Sequence, residues 1–130
     1  MQDRPTAGEL LDAVRAFLEA DVVPVLEGPR QFHARVAANV LAIIGRELAG
    51  EETALADEWR RLVTLLGVGS AVPPGVEALR AAVREATVTL AERVRRGEAD
   101  RGPFRDATRA HVRETVRQKL AVANPRFLGS

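Results

Sequence analysis

Apolar residues recur at three- and four-residue intervals along nearly the whole chain, and prolines and glycines interrupt that pattern at only a few places. Because proline is tolerated in a first helical turn but disrupts a helix interior, the seven prolines mark helix boundaries. The pattern predicts five helices, over about residues 6–23, 29–49, 52–66, 74–96 and 103–122. No segment alternates apolar and polar residues as a half-buried strand does. We therefore predict an all-α fold, a bundle of about five helices in a single domain over residues 1–130.

The second predicted helix differs from the others because its middle, VAANVLAII, is apolar on every side except at Asn39. A helix without a polar face is typical of a protein interior. We therefore expect the second helix to be buried at the centre of the bundle. Its end is predicted at Gly50, since glycine is the preferred residue directly after a helix.

Both ends of the helical region have specific boundary signals. Thr6 and Glu9 have the spacing of a capping box, in which each side chain binds the other residue's backbone N–H. We expect Leu10, Val14 and Phe17 to lie on the inward stripe of this first helix. Near the other end, Asn124 precedes a proline and so avoids helical angles, which predicts the end of the fifth helix there.

The composition excludes several classes of protein. The chain has no cysteine, so disulfide scaffolds, thiolate metal sites and cysteine nucleophiles are all excluded. The first residues carry charges where a secretory signal has an apolar segment, and the longest uncharged apolar run is half the length of a membrane span. We therefore expect a soluble, cytoplasmic protein that does not bind membranes.

Charge is distributed unevenly along the chain. Residues 1–92 contain nine arginines and fourteen acidic residues, a net charge of −5, whereas residues 93–130 contain nine arginines, one lysine and four acidic residues, a net charge of +6. The basic part includes arginines at every fourth position, namely Arg101, Arg105, Arg109, Arg113 and Arg117. Like charges one helical turn apart repel each other, so this row either faces solvent, pairs with acidic groups of the same chain or binds an acidic partner.

Arg105, Arg109, Arg113 and Arg117 are therefore candidates for a basic protein interface. Nucleic acid is not the expected partner, because no aromatic residues are interleaved with the arginines and the net charge is only +1.

A second candidate site lies in the second predicted helix, where His33, Arg35 and Asn39 interrupt an apolar segment. A buried polar group is costly unless it is hydrogen-bonded, so we expect Asn39 to be buried with a defined partner. That partner is either a ligand in a polar pocket or a residue of a neighbouring helix.

The ingredients of catalysis are scarce. The glycines at positions 67 and 69 lack the lysine and the spacing of a phosphate-binding loop, and no nucleophile elbow is present. His111 and Glu114 are one turn apart, but two ligands are fewer than the three or four that a metal site needs. A histidine at the edge of the core, bonded to a carboxylate or to the backbone, is the structural alternative for His111. We expect no metal, no cofactor and no enzymatic activity.

Three segments carry a resemblance to a known family: DRPTAGELLDAVRAFLE, FHARVAANVLAIIGREL and KLAVANPRF. They resemble a bacterial family of domains of unknown function, often encoded beside aminoglycoside-phosphotransferase-like kinases and acyl-CoA dehydrogenases. The resemblance implies an accessory protein but supplies no catalytic residues. The positions that match are Asp3, Arg4, Pro5, Phe32, His33, Arg35, Asn39, Lys119, Asn124, Pro125 and Arg126.

These observations predict a non-catalytic helical accessory domain that binds a protein, either a phosphotransferase-like kinase or an acyl-CoA dehydrogenase. A second copy of the chain is a further candidate partner. The alternative is a small-molecule-binding bundle in which polar residues surround an anionic or acyl-CoA-like ligand. The candidate residues of that pocket, or of a partner site, are His33, Arg35, Asn39, Lys119, Asn124 and Arg126.

Overall fold

Four α-helices make up most of the computed structural model, which describes residues 3–69 and 71–129. In chain order they are α1 (Ala7–Phe17), α2 (Gly28–Leu66), α3 (Val76–Arg95) and α4 (Gly102–Ala123). A π-helical segment (Leu18–Val22) and a 3-10 turn (Val23–Val25) follow α1, and a 3-10 turn (Pro125–Leu128) follows α4. No strand is present in the described part of the chain, so the predicted all-α fold is confirmed.

The predicted capping box begins α1. The Thr6 hydroxyl accepts a hydrogen bond from the backbone N–H of Glu9 at 3.2 Å, and the Glu9 carboxylate accepts one from the backbone N–H of Thr6 at 2.7 Å. These bonds satisfy donors that have no partner inside the helix. At its other end, α1 gives way to π-helical and then 3-10 geometry, and Pro24 lies within the 3-10 turn. Since proline has no N–H, it cannot continue the α-helical ladder.

The second and third predicted helices are a single helix of 39 residues, α2. The predicted break at Gly50 was wrong. Gly50 does not have the positive φ of a residue that ends a helix. A glycine inside a helix costs only about 1 kcal/mol relative to alanine. With no proline between Gly50 and Leu66, that cost is too small to stop the hydrogen-bond ladder.

Contacts between Cα atoms divide the chain into two compact units. The first unit consists of Met1–Gly50 and Val122–Asn124, and the second of Glu51–Ala121 and Pro125–Ser130. Both α2 and α4 contribute residues to each unit. The single domain over residues 1–130 stays a prediction.

The hydrophobic core lies in the second unit, where the last part of α2 packs with α3. Its buried members are Trp59, Leu62, Leu79, Val83, Ala86 and Leu90. Four of them lie at three- and four-residue intervals on α3, as its apolar stripe predicts. Leu62 and Leu79 are the largest side chains that are fully buried.

The prediction of a buried, central second helix was wrong for the first half of α2. Val36, Val40 and Ile44 of the VAANVLAII segment are all exposed, and only Ala38 in that segment is fully buried. The helix buries its larger side chains further along, at Trp59 and Leu62. An apolar sequence shows that a segment avoids water, but it does not show what covers that segment.

Candidate functional site

The three polar residues predicted to form a pocket on α2 all face solvent. His33, Arg35 and Asn39 are exposed, so the expected burial of Asn39 was wrong. The neighbouring Ala38 is only 3% exposed. Successive residues of an α-helix are separated by about 100° around its axis, so Asn39 lies well away from the buried direction.

The other residues of that predicted pocket are exposed as well. Lys119 lies on α4, Asn124 directly follows α4, and Arg126 lies in the last 3-10 turn. Among the described residues, no hydrogen bond or ion pair joins Lys119 to Arg126 in the second unit, or Asn124 to the three polar residues of α2 in the first. The role of all six as a ligand or partner site stays a prediction.

The predicted basic interface on α4 is partly neutralised by local ion pairs. Arg105 pairs with Asp106 at 3.1 Å, and Arg117 forms two hydrogen bonds with Glu114, at 2.8 and 2.6 Å. The second pair lowers the pKa of the Glu114 carboxyl, chiefly because Arg117 donates hydrogen bonds to it.

Arg109 and Arg113, in the middle of that row, are exposed and have no ion-pair partner among the described residues. Arg101, at the start of the row, is also exposed without an ion pair in the described structure, so three of the five arginines remain available to an acidic partner. The interface itself stays a prediction.

The first half of α2 carries a continuous row of exposed apolar side chains, which we call the apolar ridge. Its members are Phe32, Val36, Val40, Ile44 and Leu48, and each is between 39% and 63% exposed. Residues four apart form the rows of side chains that pack into the grooves of a neighbouring helix. The apolar ridge therefore has the geometry of a helix-packing surface, but solvent covers it.

Helix α1, in the same unit, also has an exposed apolar stripe. Leu10, Val14 and Phe17 are each at least half exposed, although the sequence pattern predicts that they face inward. Monomeric proteins rarely expose large contiguous apolar patches, and such patches commonly mark binding surfaces. Periodicity alone could not identify this surface, because apolar residues at an interface follow the same spacing as those in a core.

A groove of about 680 Å³ lies in the second unit, between α2 and the beginning of α4. Its volume falls in the range of small-molecule sites, roughly 300–1,000 Å³. Its walls are mainly apolar, with a few polar groups. The lining residues are Arg60, Arg61, Thr64, Leu65, Pro103, Phe104, Ala107, Ala110 and His111.

His111 is the most deeply buried polar residue of the groove, with only 7% of its surface exposed. Its Nδ1 atom has no hydrogen-bond partner among the described residues. Burial lowers the pKa of the imidazole, the positive charge of Arg61 lowers it further, and the carboxylate of Glu58 opposes both effects. The expected hydrogen bond to a carboxylate or to the backbone is therefore not seen at Nδ1, and the imidazole favours its neutral form.

Arg61 brings positive charge to the same groove. One of its terminal nitrogens donates to the Thr115 hydroxyl at 3.3 Å and to the side-chain oxygen of Gln118 at 3.4 Å. Its Nε atom is buried without a partner in the described structure. Sequence analysis did not single out Arg61, since it is one of eighteen arginines and nothing in its spacing links it to His111.

Two further properties concern the described residues, 3–69 and 71–129. No three histidine, aspartate or glutamate side chains lie close enough there to share a metal ion. No helix in that part of the chain combines the length and the apolar character needed to cross a bilayer.

The described part of the chain is all-helical. The family model for a domain of unknown function, DUF6285, matches residues 24–127, and the chain belongs to that family. No curated protein and no solved structure matches the chain. The matched segment contains α2, α3 and α4, and so includes both the apolar ridge and the groove.

Proposed function

We propose that this protein is a cytoplasmic, non-catalytic accessory domain that binds another protein through the apolar ridge of α2. The exposure of that ridge is the observation that carries the proposal. Apolar side chains at four-residue spacing form the rows by which one helix packs against another. Each step of four residues turns about 40° around the helix axis, so the central members Val36, Val40 and Ile44 lie closest to one common face. An aromatic residue, Phe32, lies at one end of the ridge, and aromatic residues including phenylalanine are enriched in protein interfaces.

The exposed apolar area of the first unit supports an interface of ordinary size. The ridge and the α1 stripe together expose the equivalent of about four large apolar residues, or on the order of 650 Å². Each partner in a standard protein complex contributes about 800 Å². The exposed apolar area of the first unit is therefore comparable to what one partner contributes, and the ridge supplies the larger part of it.

The proposed partner is a phosphotransferase-like kinase or an acyl-CoA dehydrogenase. This part of the proposal rests on the sequence resemblance, which implies that bacterial relatives are encoded beside such enzymes. A second copy of the chain is the other candidate, because a two-fold symmetric dimer would bring two identical ridges together.

Co-purification with a neighbouring kinase or dehydrogenase, followed by mass measurement of the complex by light scattering, tests the proposal. Replacing Val36 and Val40 by serine should weaken the complex at least tenfold, because two apolar contacts are lost from its centre. The matched control replaces Val112 and Val116 of α4, two equally exposed valines outside the ridge, by serine. This control should leave the complex intact.

Light scattering of the chain alone distinguishes the two kinds of partner. A dimeric mass that becomes monomeric only in the Val36→Ser/Val40→Ser variant assigns the ridge to self-association. A monomeric chain that binds neither enzyme would overturn the proposal, and so would equal losses of binding in the ridge variant and its control.

A further inference from the structure

We propose that the groove between α2 and α4 binds a small carboxylic acid with an apolar body. This site is separate from the apolar ridge, and the inference does not depend on the proposed protein interface. Three features of the groove carry it: its apolar walls, the guanidinium groups at one side, and a buried imidazole without a hydrogen-bond partner.

The charged groups of the groove favour an anion. Arg60 and Arg61 both line it, whereas none of its lining residues is acidic. Arg60 is paired with Asp57 at 3.0 Å, which leaves Arg61 as the main source of positive charge. Its present acceptors, Thr115 and Gln118, are neutral, so a carboxylate would be a stronger partner for its guanidinium group.

The apolar walls favour a ligand with a hydrocarbon or aromatic body. Phe104, Leu65 and Ala107 are among the apolar residues that line it. The guanidinium group of Arg93 lies 4.2 Å from the centre of the Phe104 ring, and Arg93 is itself held by Glu98. This cation–π contact fixes the ring in place, so the groove has a preformed aromatic wall.

His111 indicates where the acid group would lie. The Nδ1 atom of His111 is closed off from solvent, so a ligand would meet the imidazole through the small part of the ring that stays exposed in the groove. The ring makes no hydrogen bond among the described residues, which leaves it free to bond to a ligand oxygen. His111 and Arg61 line the same groove, and the charge of Arg61 acts on the imidazole. A carboxyl group placed between them would receive hydrogen bonds from both side chains.

Titration of the full chain with 2-naphthoate, followed by two-dimensional NMR of backbone amides, tests this site. We expect saturable shifts at Arg61, Leu65 and Ala107. The neutral analogue 2-naphthylmethanol should bind at least about tenfold more weakly, since it lacks the charge that Arg61 recognises. Binding of the anion should also raise the pKa of the His111 imidazole, because a nearby negative charge favours the protonated ring.

Variants separate recognition by Arg61 from general effects of charge. Arg61→Gln should weaken naphthoate binding about tenfold, and Arg61→Lys should retain most of it. Arg84→Gln removes an exposed arginine of α3 that does not line the groove, and it should not change the affinity. Ala107→Trp should fill the groove and abolish binding, while the NMR spectrum of the remaining residues shows that the fold is kept.

Three results would overturn the inference. Shifts confined to the apolar ridge would show that the acid binds there as a general hydrophobe. Equal affinity for 2-naphthoate and 2-naphthylmethanol would show that Arg61 does not recognise the carboxylate. Equal losses of naphthoate affinity in Arg61→Gln and Arg84→Gln would show that only the net charge of the protein affects binding. Binding that persists in Val36→Ser/Val40→Ser would confirm that the groove and the ridge are independent sites.

Discussion

Arg46 of α2 donates a hydrogen bond from its Nε to the backbone carbonyl oxygen of Val122, at 2.8 Å and across 76 positions of sequence. Val122 lies in the last turn of α4, where backbone carbonyls have no partner within the helix. A positive charge at a helix C-terminus also interacts favourably with the helix dipole. The contact therefore ties the end of α4 into the first unit, to which both residues belong.

Replacing Arg46 by methionine should lower the free energy of unfolding by about 1.5 kcal/mol, the usual contribution of a hydrogen bond that involves a charged group. Methionine keeps the apolar stem of the side chain but leaves the Val122 carbonyl without its partner. Denaturant melts provide the measurement. The control is Arg30→Met, a replacement of an exposed arginine on the same helix. Equal stability of the two variants would show that the bond contributes nothing.

Gly50→Ala should stabilise the protein by about 0.5–1 kcal/mol. In the structure Gly50 is inside α2, and a Cβ atom at this position would meet no other atom within 4 Å. Alanine loses less backbone entropy on folding than glycine does. If Gly50 instead ended a helix with a positive φ, the same change would be destabilising. The sign of the shift in the denaturation midpoint therefore decides between one helix and two.

Two adjacent residues of α2 should respond to the same substitution with very different changes in stability. Ala38→Leu should destabilise the protein by about 1–3 kcal/mol, because a larger side chain must fit into a filled space. Asn39→Leu should change the stability by no more than about 0.5 kcal/mol, since Asn39 faces solvent. Denaturant melts of both variants test this. A large loss of stability in Asn39→Leu would show that Asn39 is buried.

Stability should depend on the protonation of His111. Because the folded state lowers the pKa of His111 below its ordinary value of 6.5, the unfolded chain takes up this proton first as the pH falls. The contribution of the neutral imidazole is thus complete above about pH 6.5 and is lost as the pH falls from there towards the lowered pKa. We expect the stability advantage of the wild type over His111→Asn to shrink between pH 7.5 and pH 5.

Chemical denaturation at several pH values measures that advantage. His33→Asn is the control, because it makes the same replacement at an exposed histidine. An advantage over His111→Asn that stays constant with pH would show that His111 is not held in its neutral form.

The exposed arginines of α4 should affect the mass and the melting temperature of the protein only if the basic segment binds an acidic surface, in the same chain or in a partner. Raising the salt concentration from 0.1 M to 1 M shortens the screening length from about 10 Å to about 3 Å and should weaken such binding. Mass and melting temperature across this range should change for the wild type but not for Arg109→Glu/Arg113→Glu. The control Arg30→Glu/Arg84→Glu makes the same change in net charge. If all three proteins behave alike, Arg109 and Arg113 are merely solvated.

The sequence by itself determined the parts of the fold that depend on local chemistry. Thr6 and Glu9 are three residues apart, and that spacing is enough to form the cap of α1. Leu79, Val83 and Leu90 likewise share the buried face of α3, because helical geometry alone brings residues at this spacing to one side. The helical class and the ends of α3 and α4 follow from the same local rules.

The tertiary structure alone decided which apolar surfaces are covered. Val40 and Leu62 are both branched apolar residues in apolar segments of α2, yet Leu62 is fully buried and Val40 is exposed. Burial depends on whether another element reaches a surface, and that is a property of the whole chain. The proximity of Arg61 and His111, fifty residues apart, has the same origin. Burial of an apolar surface is favourable wherever that surface lies in the sequence. Only tertiary packing determines whether the surface is covered by the chain itself or is left for a partner.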